Sequence, residues 1–285
     1  MALTLRAIEP GDVPAAGRIC HDAFRAIAAQ HNFPPDFADP EVATGLLSHL
    51  NGHPGYYGVV AEIDGAVVGS NFVDERAAIV GLGPITVAPD VQNRGVGTAL
   101  MTHMIERAAR SRAAGLRLMQ SGYHARSLCL YTKLGFVVRE PLVNLQGPPL
   151  GTRIPGCAVR PATRDDAEAC ELVCHAVHGH ERGQDLREAI DEGTASVVER
   201  AGRITGYTTQ IAYFGHAVAL TIEDLKALIA AAPSFGGPGF LLPSRNSELF
   251  GWCIDNGLRM IQPMNLMTIG LYNEPRGAYL PSILF

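Results

Sequence analysis

Two glycines set one residue apart, in Gln92-Asn93-Arg94-Gly95-Val96-Gly97-Thr98, stand directly before a segment of helical periodicity. Glycine lets a ligand approach the backbone closely. The unpaired N–H groups of a first helical turn point outward, and the helix dipole favours negative charge there. Together these make a place for a pyrophosphate. The two commoner nucleotide signatures do not fit, because no Lys-Ser or Lys-Thr follows and the third glycine of the dinucleotide fingerprint is missing. Taken alone, the loop reads equally well as an ordinary turn and helix start. A second spacing, Cys170, Cys174 and His178 with His175 and His180 nearby, could be imagined around a metal. Small thiols at helical spacing are more often core, so no metal is assigned.

The loop needs a strand before it and a helix after it. Ile79 to Pro89 reads as a buried strand interrupted by Gly81, Gly83 and Pro84. A proline removes a ladder donor, which predicts a bulge or splayed pairing. From about Thr98 to Arg112, Leu100, Met101, Met104, Ile105 and Ala108 fall on one face of a helix.

The wider chain looks like one domain written twice. Leu5 to Asp12 resembles Val159 to Asp166, each a short strand, a polar turn and a helix start. Ala61 to Gly69 pairs with Val198 to Gly206 as hairpins turning at Asp64-Gly65 and Ala201-Gly202. Leu134-Gly135-Phe136 and Pro141 match Asn256-Gly257-Leu258 and Pro263. Between the halves, the glycines and prolines of Gly147 to Gly156 read as a linker, which puts the boundary near residue 155. The order of elements implies a mixed sheet with helices on its faces, an α/β (α+β) class.

A chain of 285 residues, 47% hydrophobic, is long enough for two globular domains. A formal charge of -5 without basic runs argues against a nucleic-acid partner. The apolar stretches fall short of the ~20 residues that span a bilayer, and Met1 to Asp12 lacks the apolar core of a secretory signal. No membrane association and a cytoplasmic location are therefore expected, in keeping with six scattered cysteines and no C-x-x-C pair.

The strand, Gln92-x-x-Gly95-x-Gly97, the helix, a further strand and then Leu130-Tyr131-Thr132-Lys133-Leu134-Gly135-Phe136 together resemble the GNAT N-acetyltransferase superfamily over roughly Leu5 to Gly147. The resemblance implies two GNAT-like domains, each a mixed, mostly antiparallel central sheet flanked by helices. Residues 1–154 would be the catalytic domain that binds acetyl-CoA, and 155–285 a degenerate copy. It assigns the CoA pyrophosphate to Gln92, Asn93, Arg94, Gly95, Val96, Gly97 and Thr98. It assigns the pantetheine arm to the backbone of Ile85, Thr86 and Val87, with an N–H there polarising the thioester carbonyl. Tyr131 becomes the acid that protonates the departing thiolate. Where the family often carries Asn, His124 either takes over the hydrogen bond to the cofactor arm or serves as a base. In the second half the loop positions fall on His216, Ala219 and Thr221, and the Tyr131 position on Cys253, so neither loop nor acid is kept.

The reaction so implied is transfer of an acetyl or small acyl group from CoA to a primary amine by direct attack in a ternary complex. Asp74 and Glu75, at the end of the strand from Val67, are candidates for the base, with Glu62 a weaker one; both are equally readable as solvated turn carboxylates. Phe24, Arg25, His31, Asn32, Phe33 and Phe37 crowd an irregular stretch with Pro34 and Pro35. They either line an acceptor pocket, with Phe24, His31 and Phe33 foremost, or pin a loop to the core. The rival readings are a CoA-responsive binding or regulatory pseudoenzyme and a scaffold without CoA affinity. A homodimer stays open as a partner, and the apolar segment Gly277 to Phe285 is expected to be buried as a last strand.

Overall fold

In the computed structural model, which describes residues 2–284, the chain divides into two units. Phe285, the end of the apolar terminal segment, lies outside the described residues. The first unit opens with β1 (Leu3–Ala7), α1 (Val13–Gln30), α2 (Pro40–Gly52), β2 (Tyr56–Ile63) and β3 (Ala66–Asp74). It continues through β4 (Ile79–Leu82), β5 (Thr86–Val87), α3 (Val96–Arg110), β6 (Gly115–Ser121) and α4 (Ala125–Lys133).

Its strands lie in the order β1-β2-β3-β4-β6, antiparallel except for the parallel pair β4 and β6, while β5 pairs with β3. Side chains alternate across the sheet. Val59 and Ala61 face α3, where Leu100, Met101, Met104 and Ala108 are buried with Val80, Leu118 and Phe136. Val60 and Phe72 face α1 and α2, against Ala16, Cys20, Ala43, Leu47 and Leu50. The predicted turn at Asp64-Gly65 is present with both residues at positive φ (52 and 80), as a two-residue hairpin needs.

The second unit holds β7 (Val137–Gln146) from Val138 on, then β8 (Ala158–Pro161), α5 (Ala167–His178), α6 (Gly183–Asp191), β9 (Ser196–Arg200), β10 (Arg203–Thr208) and β11 (Ala217–Ala219). After these come α7 (Ile222–Ala231), β12 (Phe240–Pro243), α8 (Ser247–Asp255), β13 (Arg259–Gly270) and β14 (Ala278–Leu280). One antiparallel sheet runs β14-β11-β10-β9-β8, and β7 separately pairs with β12 and has β13 as its other neighbour. Cys170 and Cys174 are core residues of α5, packed with Val197, Tyr207 and Val218.

The units part at Val138 and not in the Gly/Pro stretch. The reason lies in hydrogen bonding, since β7 pairs with β12 from Leu142↔Pro243 to Leu145↔Phe240. In exchange, residues 267–271 at the end of β13 belong to the first unit. There Leu271 N–H donates to Ala114 O (2.9 Å) beside β6, and Met267 is fully buried with Tyr131 and Phe136.

The two openings that resemble one another in sequence carry the same ion network. Arg6 donates to Asp12 (2.6 and 2.8 Å) and Glu62 (2.6 and 3.1 Å), while Arg160 donates to Asp166 (2.7 and 2.7 Å) and Glu199 (2.8 Å). In both units the aspartate also accepts from the backbone N–H at the start of the turn, that of Glu9 at 2.8 Å and that of Thr163 at 2.7 Å. Among the described residues no helix is long and apolar enough to cross a membrane.

Candidate active site

The strand before the glycine loop breaks where the prolines and glycines predict. β4 runs beside β6 as far as Leu82↔Leu118, the chain bends at Gly83 (φ 138) and Pro84, and β5 resumes pairing only with β3, through Ser70↔Thr86 and Gly69↔Val87. Ala88 N–H donates to Val68 O at 2.9 Å. Backbone groups alternate along a strand, so those of Ile85 and Val87 face away from β3. A gap is left between β5 and β6, edged by backbone of Ile85 and Val87 that no neighbouring strand pairs.

At one end of this gap α3 begins at Val96, two residues earlier than the periodicity suggests. Gly95 is its N-cap at φ 86, with Asn93 also left-handed at φ 66. The bond from Ala99 N–H to Gly95 O (3.0 Å) closes the first turn. The N–H groups of Val96, Gly97 and Thr98 precede it and have no acceptor within the helix. A Cβ on Gly95 would meet nothing within 4 Å, which shows open space in front of the helix. At Gly97 a Cβ would lie 3.6 Å from Leu130 of α4 and 3.8 Å from Val87, so three elements converge on that residue. Open, backbone-lined and positive by the helix dipole, the loop fits an anion.

The neighbour of Leu130 is Tyr131, buried against Phe136 at 6.2 Å between rings. Its hydroxyl forms no hydrogen bond among the described residues, and burial raises its pKa, so the phenol stays protonated at working pH. His124 is the N-cap of α4. Gln120 holds it in place, its amide donating to the carbonyls of Ser121 and His124 (3.0 Å to the latter) and to Ser127 Oγ (3.0 Å). His124 Nε2 is buried without a hydrogen-bond partner. Burial first, then the charges of Arg126 and His31, lower its pKa to about 4.

The structure does not bring Asp74 and Glu75 to this gap. Ser70 pairs with Thr86 and Asp74 with Gly81, which places Asp74 four residues, about 13 Å, along β3 from the residue that pairs with β5. Asp74 is engaged by Arg76 (2.5 and 2.9 Å). Glu75 is held by Arg107 (2.7 and 2.9 Å), which lies 3.6 Å over the ring of Tyr57. These pairs give both carboxylates a structural task. Glu62 is engaged by Arg6.

Of the acceptor candidates, His31 and Phe33 come together and Phe24 does not. Phe33 stacks on Tyr123 (4.3 Å between ring centroids, 12° between planes) and His31 lies 5.6 Å from the same ring. Phe24 packs edge-on against Phe37 at 5.5 Å, in the core between α1 and α2.

Two residues at the site were missed by sequence reasoning. Tyr123 lies just past β6, and only its aromatic type next to His124 hinted at it. Arg126 donates to Gln92 Oε1 (2.8 Å) while Gln92 Nε2 donates to Val87 O (3.1 Å). That chain of bonds ties α4 to the loop and to the outer edge of β5.

In the second unit α7 takes the place of α3 in element order, and its N-terminus is filled. Thr221 is the N-cap. The fully buried carboxylate of Asp224 in the first turn accepts from Thr221 Oγ (2.7 Å) and Arg200 (3.0 Å). β11, in the place of β4 and β5, has its edge paired by β14 from Ala217↔Leu280 to Ala219↔Ala278. His216 is buried and bonded to the Tyr207 hydroxyl at 3.1 Å, and Cys253 is a core residue whose thiol burial raises to about 12.

Residues 54–138 match the family model of the acetyltransferase (GNAT) domain. No curated protein matches the chain in sequence. Among solved structures, one of a "putative acetyltransferase" from Pyrococcus horikoshii is similar over 99% of this chain and 92% of its own, at 16% identity and a TM-score of 0.73. A GCN5-related N-acetyltransferase from Sphaerobacter thermophilus is similar over 95% of this chain and 96% of its own, at 15% identity and a TM-score of 0.64. At such identities the likeness is one of fold, and it runs through both halves.

Proposed function

Starting from a GNAT acetyltransferase domain in the first half, we propose that the chain transfers an acetyl or other small acyl group from acetyl-CoA to a primary amine by direct attack in a ternary complex. The observation that carries this is the gap between β5 and β6, edged by backbone of Ile85 and Val87 that no neighbouring strand pairs, with the glycine-capped start of α3 at one end. The first-turn N–H groups of Val96, Gly97 and Thr98 would hold the pyrophosphate, and Arg94 and Arg126 add charge near it. Along β5, Ile85 and Val87 would pair with the amide-bearing arm, and a backbone N–H there would polarise the thioester carbonyl as the amine attacks. The C–N bond forms as the neutral amine attacks; when the tetrahedral intermediate collapses the C–S bond breaks, Tyr131 Oη–H gives its proton to the departing sulfur, and the proton shed by the new amide nitrogen passes to water, from which the phenolate is reprotonated.

His124 serves as a hydrogen-bonding partner of the cofactor arm and not as the base. With a pKa of about 4 it is neutral at pH 7 and far too weak to hold an ammonium's proton. Asp74 and Glu75 act through Arg76 and Arg107 on the packing of β3 and α3. Residues 155–285 are read as a degenerate copy, in which Asp224 and β14 occupy what in the first half would receive phosphate and pantetheine. A cytoplasmic enzyme is the setting this suits.

Thiol release from acetyl-CoA, measured over a set of primary amines, tests the reading. Tyr131→Phe should lower kcat by about 10²-fold, the low end for a general acid because a thiolate already leaves readily, while changing acetyl-CoA affinity less than twofold. Tight acetyl-CoA binding with no turnover of any amine would favour the CoA-responsive binding module.

A further inference from the structure

Between Val87 at the end of β5 and Arg126 in the first turn of α4 stands the half-buried side chain of Gln92. Its Nε2 donates to Val87 O at 3.1 Å, and its Oε1 accepts from Arg126 Nη2 at 2.8 Å. A primary amide has a donor end and an acceptor end, and here each end is used by a different element. Ala88 N–H donates to Val68 O at 2.9 Å, so by alternation the carbonyl of Val87 faces away from β3. The oxygen that Gln92 holds therefore lies on the edge of β5 that no strand pairs. At the other end of the bridge, Arg126 is exposed and stands one turn before Leu130, the residue of α4 nearest Gly97. Arg6, Arg76 and Arg107 of the same unit are each matched by a carboxylate, whereas the bond from Arg126 goes to a neutral oxygen.

Resting on the acyl-CoA reading above, we propose that Gln92 is a latch that acyl-CoA opens by exchanging both of its bonds. An amide N–H of the pantetheine arm takes Val87 O, and the pyrophosphate takes Arg126. An arm paired along β5 in the manner of a strand brings its N–H to the oxygen that Gln92 holds, so the two compete. Arg126 gains by the exchange, because a guanidinium–phosphate hydrogen bond is charge-assisted and roughly twice as strong as one between neutral partners. The latch thus lowers affinity for the cofactor, and Arg126 is the residue through which the cofactor's own charge releases it.

The test uses the full chain and calorimetric titration of acetyl-CoA. Gln92→Met keeps the length of the side chain and removes both bonds; Gln92→Ala is the second variant. Both should bind acetyl-CoA about three- to tenfold more tightly than the wild type, the effect of one or two released hydrogen bonds. Partial unfolding cannot produce a gain of this sign. Arg126→Gln should bind about three- to tenfold more weakly at low ionic strength, by a factor that shrinks in 1 M salt. Unchanged or weaker binding by both Gln92 variants would mean that Val87 O accepts both partners at once or that Gln92 holds the cofactor itself. Either result overturns the latch and leaves the cofactor reading standing, as does an Arg126→Gln affinity equal to that of the wild type. Failure of acetyl-CoA to bind the wild type overturns the reading beneath it.

Discussion

Replacing Gly95 by Asp and, separately, by Asn isolates the electrostatic part of cofactor binding. Gly95 sits at φ 86, a region that Asn and Asp tolerate better than other side chains, and a Cβ there meets nothing within 4 Å. The two variants thus share nearly the same backbone cost and shape and differ by one negative charge in front of α3. If that charge comes within ~5 Å of a phosphate, Coulomb repulsion is about 0.8 kcal/mol at the dielectric of water and about 3.3 kcal/mol at an effective dielectric of 20. Acetyl-CoA should therefore bind the Asp variant about fourfold to about 250-fold more weakly than the Asn variant. The difference should shrink in 1 M salt, where the screening length falls to about 3 Å. Unfolding cannot mimic this, because a carboxylate at a helix N-terminus is stabilising and the Asp variant should melt no lower than the Asn variant. Calorimetric titration at two salt concentrations reads all of it. Equal affinities would refute the placement of the pyrophosphate at this helix.

Three further outcomes follow from particular contacts. His124 has a folded-state pKa lowered from 6.5 to about 4, so its contribution is intact above pH 6.5 and is lost as pH falls from there toward 4. In denaturant titrations across that window His124→Asn should lose less stability than the wild type, and parallel losses would contradict the burial argument. Met267→Ala should destabilise by about 2–5 kcal/mol, since a fully buried side chain from the second half of the sequence fills the core of the first unit; a fall in unfolding free energy of under 1 kcal/mol would show that the exchanged strand does not carry that core. Ala201 adopts φ 50 in the β9–β10 turn, and Ala201→Asn should raise stability by about 0.5–1 kcal/mol, read as a higher melting temperature.

Local chemistry was the legible part of this chain. Pro84 and the glycines around it marked the break between β4 and β5, and Asp64-Gly65 and Ala201-Gly202 marked the hairpin turns, because each acts through its own φ or its own missing N–H. The start of α3 was displaced by two residues because Gly95 serves as a left-handed cap, which apolar periodicity does not report. What stayed hidden depends on partners far along the chain. Nothing near Asp74 or Glu75 shows that Arg107, on a helix beyond the loop, lies against one of them. Nothing near Gly115 shows that its strand is flanked by Leu271. The stacking of Phe33 on Tyr123 is likewise a product of folding, although both residue types were suggestive. The matching networks of Arg6 and Arg160 show the opposite case: sequence similarity faint enough to doubt carries the same hydrogen bonds in both units.

One working cofactor site is expected in a chain whose two halves resemble each other. The number of acetyl-CoA molecules bound per chain, by calorimetry and by mass spectrometry of the intact complex, tests this most directly. One equivalent, reduced in the Gly95→Asp variant, is the expected result. Two equivalents, or one that persists at full affinity in that variant, would contradict it.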